Sequence, residues 1–89
     1  MSLMTREDGL YAGEKKVLAG WESWSGWYWF ATELGDDGIH YGYVQGFENE
    51  WGSFSEEELN SLAPRVWKIK EIDLPHAGRR YQKSGGEVQ

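Results

Sequence analysis

The sequence predicts an α+β domain: a small twisted antiparallel sheet of about five strands, in the order β-β-β-β-α-β, with one short helix. Three observations point there. The run Trp27-Tyr28-Trp29-Phe30-Ala31-Thr32-Glu33-Leu34 has the aromatic and β-branched composition that suits a pleated surface. Turn chemistry follows at Gly35-Asp36-Asp37-Gly38, and the next stretch, Ile39 to Gln45, alternates with period two. Finally, Ser55-Glu56-Glu57-Glu58 is a capping box that opens a helix.

Lys15-Lys16-Val17-Leu18-Ala19 reads as a first strand, and Gly20 to Gly26, with its Gly and Ser residues, reads as a loop carrying Trp21 and Trp24. In the aromatic strand, Trp27, Trp29, Ala31 and Glu33 share one face, with Tyr28, Phe30, Thr32 and Leu34 on the other. Both faces are largely apolar, so at least one end of the strand is expected to be buried on both sides. The strand from Ile39 returns antiparallel to it. Gly46-Phe47-Glu48-Asn49-Glu50 makes a second reversal, and Trp51-Gly52-Ser53-Phe54 a short further strand.

Ser55 caps the helix, whose first-turn acids Glu56, Glu57 and Glu58 suit the positive end of the helix dipole. Leu59, Leu62 and Ala63 form its apolar stripe, and Pro64 stops it near Leu62. Val66 to Leu74 reads as a final strand. The compact domain is therefore placed at residues 1–74, with 75–89 a disordered basic tail. Met1-Ser2-Leu3 reads as a leader before a native start at Met4.

The chain has 89 residues and a net charge of −6, an average over unlike parts. Residues 1–16 are neutral, residues 17–64 carry nine acids and no Lys or Arg, and residues 65–89 carry a net +3. The −9 block also holds 11 of the 14 aromatic residues, so the charge and the bulky side chains belong to the same part of the fold. This excludes a bare basic nucleic-acid binder and a disordered acidic chain. A chain of this length buries only about 60–65% of its unfolded surface. With no cysteine to staple it, the core must come from the aromatic side chains, each worth about 150–250 Å² of burial. The lack of cysteine fits a cytoplasmic setting. No apolar run reaches the roughly 20 residues of a membrane span, and the start has no hydrophobic stretch of signal-peptide length.

Three stretches resemble a known family. Leu3-Met4-Thr5-Arg6-Glu7 with Leu10-Tyr11-Ala12-Gly13-Glu14 is similar to its opening, and Trp27 to Glu33 is similar to its aromatic strand ending in Ala-Thr-Glu. The run from Tyr41-Gly42-Tyr43-Val44-Gln45-Gly46 through Gly52-Ser53-Phe54-Ser55 to Glu58-Leu59 is similar to its strand, acidic turn and strand-to-helix junction. The family is the small bacterial one known only as domain of unknown function two-nine-five-eight, found on plasmids, phages and integrative elements. The likeness covers roughly residues 3–62. Beyond it the family's Arg-Asp and Pro-rich ending is missing. The resemblance implies a compact α+β domain in a mobile-element or bacterial host context, and no catalytic residue.

Four constellations are candidates for function. Trp27 and Trp29 suit the core, whereas Trp21 and Trp24, in a loop, and Trp51 suit a binding surface. Asp36 and Asp37 in one turn and Glu48 and Glu50 in another lie in a region without bases, which favours encounter with a basic partner. That partner is expected to be a basic protein surface, met directly or through mimicry of nucleic-acid phosphates in a host-defence inhibitor. Asp36, Asp37 and His40 have metal-ligand chemistry, but neither alternation nor the turn brings them together, so no metal and no cofactor is expected. The tail bases Arg79, Arg80 and Lys83, with Tyr81, are suited to contact phosphates or to fold back on the acidic core.

The leading expectation is a non-enzymatic acidic binding module using Trp21, Trp24, Trp51, Asp36, Asp37, Glu48 and Glu50, with no direct nucleic-acid binding by the core and no membrane partner. A carbohydrate or small-ligand platform of Trp21, Trp24 and Trp51 is the alternative. A hydrolase pairing Glu33 with Glu48 or Glu50 is a third reading. A homo-oligomer covering aromatic surface and sheet edges also remains open.

Overall fold

The computed structural model describes residues 3–79. It is an α+β domain made mostly of strands, in two antiparallel sheets with one short helix. The first sheet has the order β1 (Leu3–Arg6), β2 (Gly9–Ala12), β3 (Lys15–Lys16). The second has the order β7 (Asn49–Ser55), β6 (Ile39–Gln45), β5 (Tyr28–Glu33), β4 (Ala19–Ser23), β8 (Val66–Lys68). The helix α1 spans Glu56–Asn60 and a 3-10 turn spans Leu74–His76.

The central hairpin forms as its sequence predicts. β5 pairs with β6 from Tyr28↔Gln45 to Glu33↔Tyr41, with one irregularity between Ala31 and Glu33. β6 in turn pairs with β7 along its whole length, from Ile39↔Ser55 to Gln45↔Asn49. Gly42 is required at the irregularity, since a Cβ there would lie 1.8 Å from the Phe30 carbonyl oxygen. The predicted cap is present too: the Ser55 hydroxyl accepts the Glu58 amide at 3.2 Å.

Register explains how the core divides. Gly20, Phe30, Tyr43 and Trp51 are cross-strand neighbours on one face of the large sheet. Phe30 and Tyr43 there join Leu3, Leu10, Ala12, Val17, Ile69 and Leu74 in the larger core, so the small sheet and the C-terminal segment cover this face. On the opposite face Ala19, Trp21, Ala31, Leu59 and Val66 form a second core, which α1 closes through Leu59. The helix is five residues long and covers only part of that face.

Several expectations need correction. Residues 3–12 form a hairpin that the pattern did not announce, because only Leu10 and Ala12 alternate inward on β2. Leu3, read as part of a leader, is buried in the main core. The stretch read as a loop from Gly20 to Gly26 contains most of β4, with Gly20 packed where the Leu74, Ile69 and Phe30 side chains converge. The final strand stops at Lys68. Packing continues past the expected boundary at Leu74: the buried Gln45 side chain accepts the Arg79 amide and donates to the Arg79 carbonyl, both at 2.7 Å. The remainder of the expected tail, including Arg80, Tyr81 and Lys83, lies outside the described residues.

Candidate functional site

Trp21, Trp24 and Trp51 do not share a surface. Trp21 points inward from β4 and is 1% exposed. Its ring stacks on His40 at 5.7 Å and meets Phe54 edge-on at 5.9 Å, and the Lys68 ammonium lies 5.6 Å from it. It is a core residue and offers no contact surface, which corrects its assignment as a binding residue. Trp51 is half-buried on the other face, stacked against Tyr41 and tilted against Tyr43. Trp24 is 73% exposed at the β4–β5 turn.

A different aromatic group gathers around Trp24. Trp24, Trp27 and Trp29 line a shallow groove with Ser23, Ser25, Leu62, Arg65 and Val66. Trp27 lies 5.9 Å from Trp29 and meets Phe47 edge-on at 5.3 Å. Gly46 allows this arrangement, because a Cβ there would sit 2.4 Å from the Trp27 ring. Phe47 is 93% exposed. These rings occupy the part of the sheet face that α1 leaves open. Trp27 and Trp29, expected in the core, are only half-buried. Sequence reasoning passed over them because a strand of bulky residues looks alike whether one face or both are covered. It passed over Phe47 as an ordinary turn residue, although a Gly before it marks the close approach of a ring.

The four turn acids separate into two pairs. Asp36 and Asp37 lie at the β5–β6 turn and Glu48 at the β6–β7 turn, at opposite ends of a strand about 20 Å long. Asp37 is engaged locally, accepting the Ile39 amide at 3.0 Å. Asp36 and Asp37 share their end of the sheet with the start of α1, whose Glu56 amide donates to the Gly38 carbonyl. Glu48 and Glu50 flank the other end, next to Phe47. Glu50 pairs with Val44, which pairs with Trp29, so Glu50 shares the face of the aromatic group. Glu33 pairs with Tyr41 near the Asp end, on the Tyr41 and Trp51 face, whereas Glu50 shares the opposite face with Val44 and Trp29, so these two carboxylates do not face each other.

His40 has a structural partner. It is 5% exposed; its Nδ1 accepts the Gly35 amide at 3.2 Å, which leaves the ring proton on Nε2 to be donated to Glu56 at 2.7 Å. This bond holds the Glu56 carboxyl below its ordinary value of 4.5 and ties the start of α1 to the hairpin. The Asp-Asp-x-x-His motif therefore does not converge, and among the described residues no group of three or more His, Asp or Glu side chains is placed to hold a metal.

A second cleft of about 450 Å³ lies near the C-terminal segment, lined by Glu22, Tyr28, Trp67, Lys70, Asp73 and His76 among others. The Tyr28 hydroxyl donates to Glu22 at 3.0 Å, and burial followed by this bond raises the Tyr28 pKa above its ordinary 10.0. Among the described residues no helix is long and apolar enough to cross a membrane. No family model, curated protein or solved structure matches the chain.

Proposed function

We propose that the chain is a non-enzymatic binding module that docks a basic protein surface through the Trp24, Trp27, Trp29 and Phe47 face, with Glu48 and Glu50 at its rim. The observation that carries this reading is an aromatic group, with Trp24 and Phe47 exposed and Trp27 and Trp29 half-buried, in the part of the sheet face that the helix does not cover; register puts Glu50 on that same face, and among the described residues Arg65 is the one charged side chain lining the groove. Exposed rings that gather into one patch favour contact, and Trp is prominent among the residues that anchor interfaces. The carboxylates steer a cationic partner and set its register. Asp36 and Asp37 contribute at long range, from the far end of the sheet. The resemblance of residues 3–62 to a mobile-element family is the ground for placing such a module among bacterial accessory proteins, where phosphate mimicry toward a host-defence protein is one form of the same docking.

The test is affinity capture from bacterial lysate with three proteins: wild type, Trp24→Ala with Phe47→Ala, and Glu48→Gln with Glu50→Gln. Docking at this face predicts a basic partner retained by wild type, lost from the aromatic variant and weakened in the charge variant. Equal retention by all three rejects the face. The groove of Trp24, Trp27 and Trp29 beside Ser23 and Ser25 also supports a second reading, stacking on a carbohydrate. Glycan binding would be nearly indifferent to salt, unlike docking of a cation.

A further inference from the structure

The outer edge of β7 is a second feature of the large sheet that no other strand covers among the described residues. Among the described residues β7 ends the strand order, runs for seven residues and pairs on one side only. The direction of its outer hydrogen-bonding groups follows from two bonds. Glu56 donates to Gly38 at 2.9 Å and Gly46 donates to Glu48 at 3.1 Å, at the two ends of the same register. Antiparallel alternation then makes His40↔Phe54, Gly42↔Gly52 and Val44↔Glu50 the bonded pairs. The backbone N–H and C=O groups of Asn49, Trp51 and Ser53 therefore point outward, where among the described residues no backbone partner meets them.

The two edges of this sheet differ. β8 is three residues long and carries Lys68, with Lys70 just beyond it, a common protection against edge pairing. β7 contains no Lys, Arg or Pro, and its pairing with β6 is without a bulge. Its charge is negative: Glu50 lies within it, Glu48 just before it, and Glu56 and Glu57 follow it. Arg79 is held at the Asn49 end, donating to the Gly46 carbonyl at 2.7 Å. A strand added here has one face opposite Glu50, Gly52 and Phe54, and the other opposite Trp51 and Ser53. Gly52 leaves open space on its face.

We propose that the β7 edge accepts an extended basic segment of the partner as a sixth strand of the large sheet, its cationic residues on the Glu50 face and its apolar residues on the Trp51 face. Main-chain bonds supply affinity and the alternating side chains supply selectivity, as in other strand-addition complexes. Two copies of this chain would bring like charge together at that edge, which is why a basic segment is the occupant chosen. The proposal rests on the docking of a basic partner and specifies how that partner engages.

The probe is a synthetic peptide of about ten residues alternating Lys with Val, set against a control in which two central Val residues are Pro. Binding is followed by titration and by amide NMR. Strand addition predicts that the Trp51 and Ser53 amides become protected, and that the control binds about tenfold more weakly or worse. Ser53→Pro should abolish the difference between the peptides. Its N–H makes no ladder bond to β6, and near-UV circular dichroism checks that it folds; if it does not, Ser53→Lys is read in its place. Equal binding of both peptides overturns strand addition and leaves basic docking standing. Failure of both peptides, with a basic partner still captured by wild type, also overturns it and returns the contact to the aromatic face. If no basic partner is captured either, the docking reading itself falls. Protection of the same two amides in the protein alone, rising with concentration, assigns the edge to a second copy and overturns the proposal.

Discussion

Trp21 and Trp24 share a sequence neighbourhood and have opposite fates: one is 1% exposed and the other 73%. The difference follows from strand alternation and a turn, since β4 directs Trp21 between His40 and Phe54 and ends before Trp24. Trp21→Ala should therefore cost about 3–5 kcal/mol, as expected for a large core side chain, whereas Trp24→Ala should change stability by no more than about 0.5 kcal/mol. Urea denaturation of the two variants checks this, and similar losses would contradict the assignment. A second prediction concerns the His40–Glu56 bond. Because the folded Glu56 pKa is lowered, its stabilising contribution is fully present above about pH 4.5 and is lost as pH falls through the folded value. The stability gap between wild type and Glu56→Gln should thus be constant near neutrality and close on acidification. A gap independent of pH would show that charge plays no part in the contact.

Among elements, the end of the described C-terminal segment is tied back to β6 by one amide side chain. Gln45 is 2% exposed and engages both backbone groups of Arg79, so it acts as a strand would for that residue. Gln45→Ala leaves these groups unpaired and should cost about 1–3 kcal/mol, with faster amide exchange at Arg79 than in wild type. Unchanged exchange would mean that the segment is held by its other contacts, the Arg79 bond to the Gly46 carbonyl, the Thr5 bond to the Pro75 carbonyl and the packing of Leu74 and Ile69. The hairpin and the capped helix were legible in sequence because each is written locally: alternation from Ile39 to Gln45, turn residues at 35–38, and Ser55 followed by three acids. The first hairpin, β4 and the end of the last strand were not. Their side chains, such as Leu3, Trp21 and Leu74, are fixed by partners far along the chain, and local composition does not carry that information. The break at Lys68 is one example, since apolar residues continue through Ile69 and Ile72 while the chain turns away.

For the whole molecule, seven of the nine acids of residues 17–64 fall at two ends joined by the sheet. One end holds Asp36, Asp37 and the start of α1; the other holds Glu48 and Glu50 beside the exposed rings. The sequence made the excess of acid plain, but its division was invisible until β6 separated the two turns. That separation leaves Asp36 and Asp37 away from Glu48 and Glu50, while the burial of Trp21 and the place of Trp51 on the opposite face move the candidate site to Trp27, Trp29 and Phe47 beside Trp24. The most direct test of basic docking is the affinity of the purified partner for wild type across a salt series, from about 50 to 500 mM, over which the screening length shrinks severalfold. Basic docking predicts affinity falling by about tenfold or more as salt rises, and a weaker salt dependence in the Glu48→Gln, Glu50→Gln variant. An affinity unchanged across the series would contradict it.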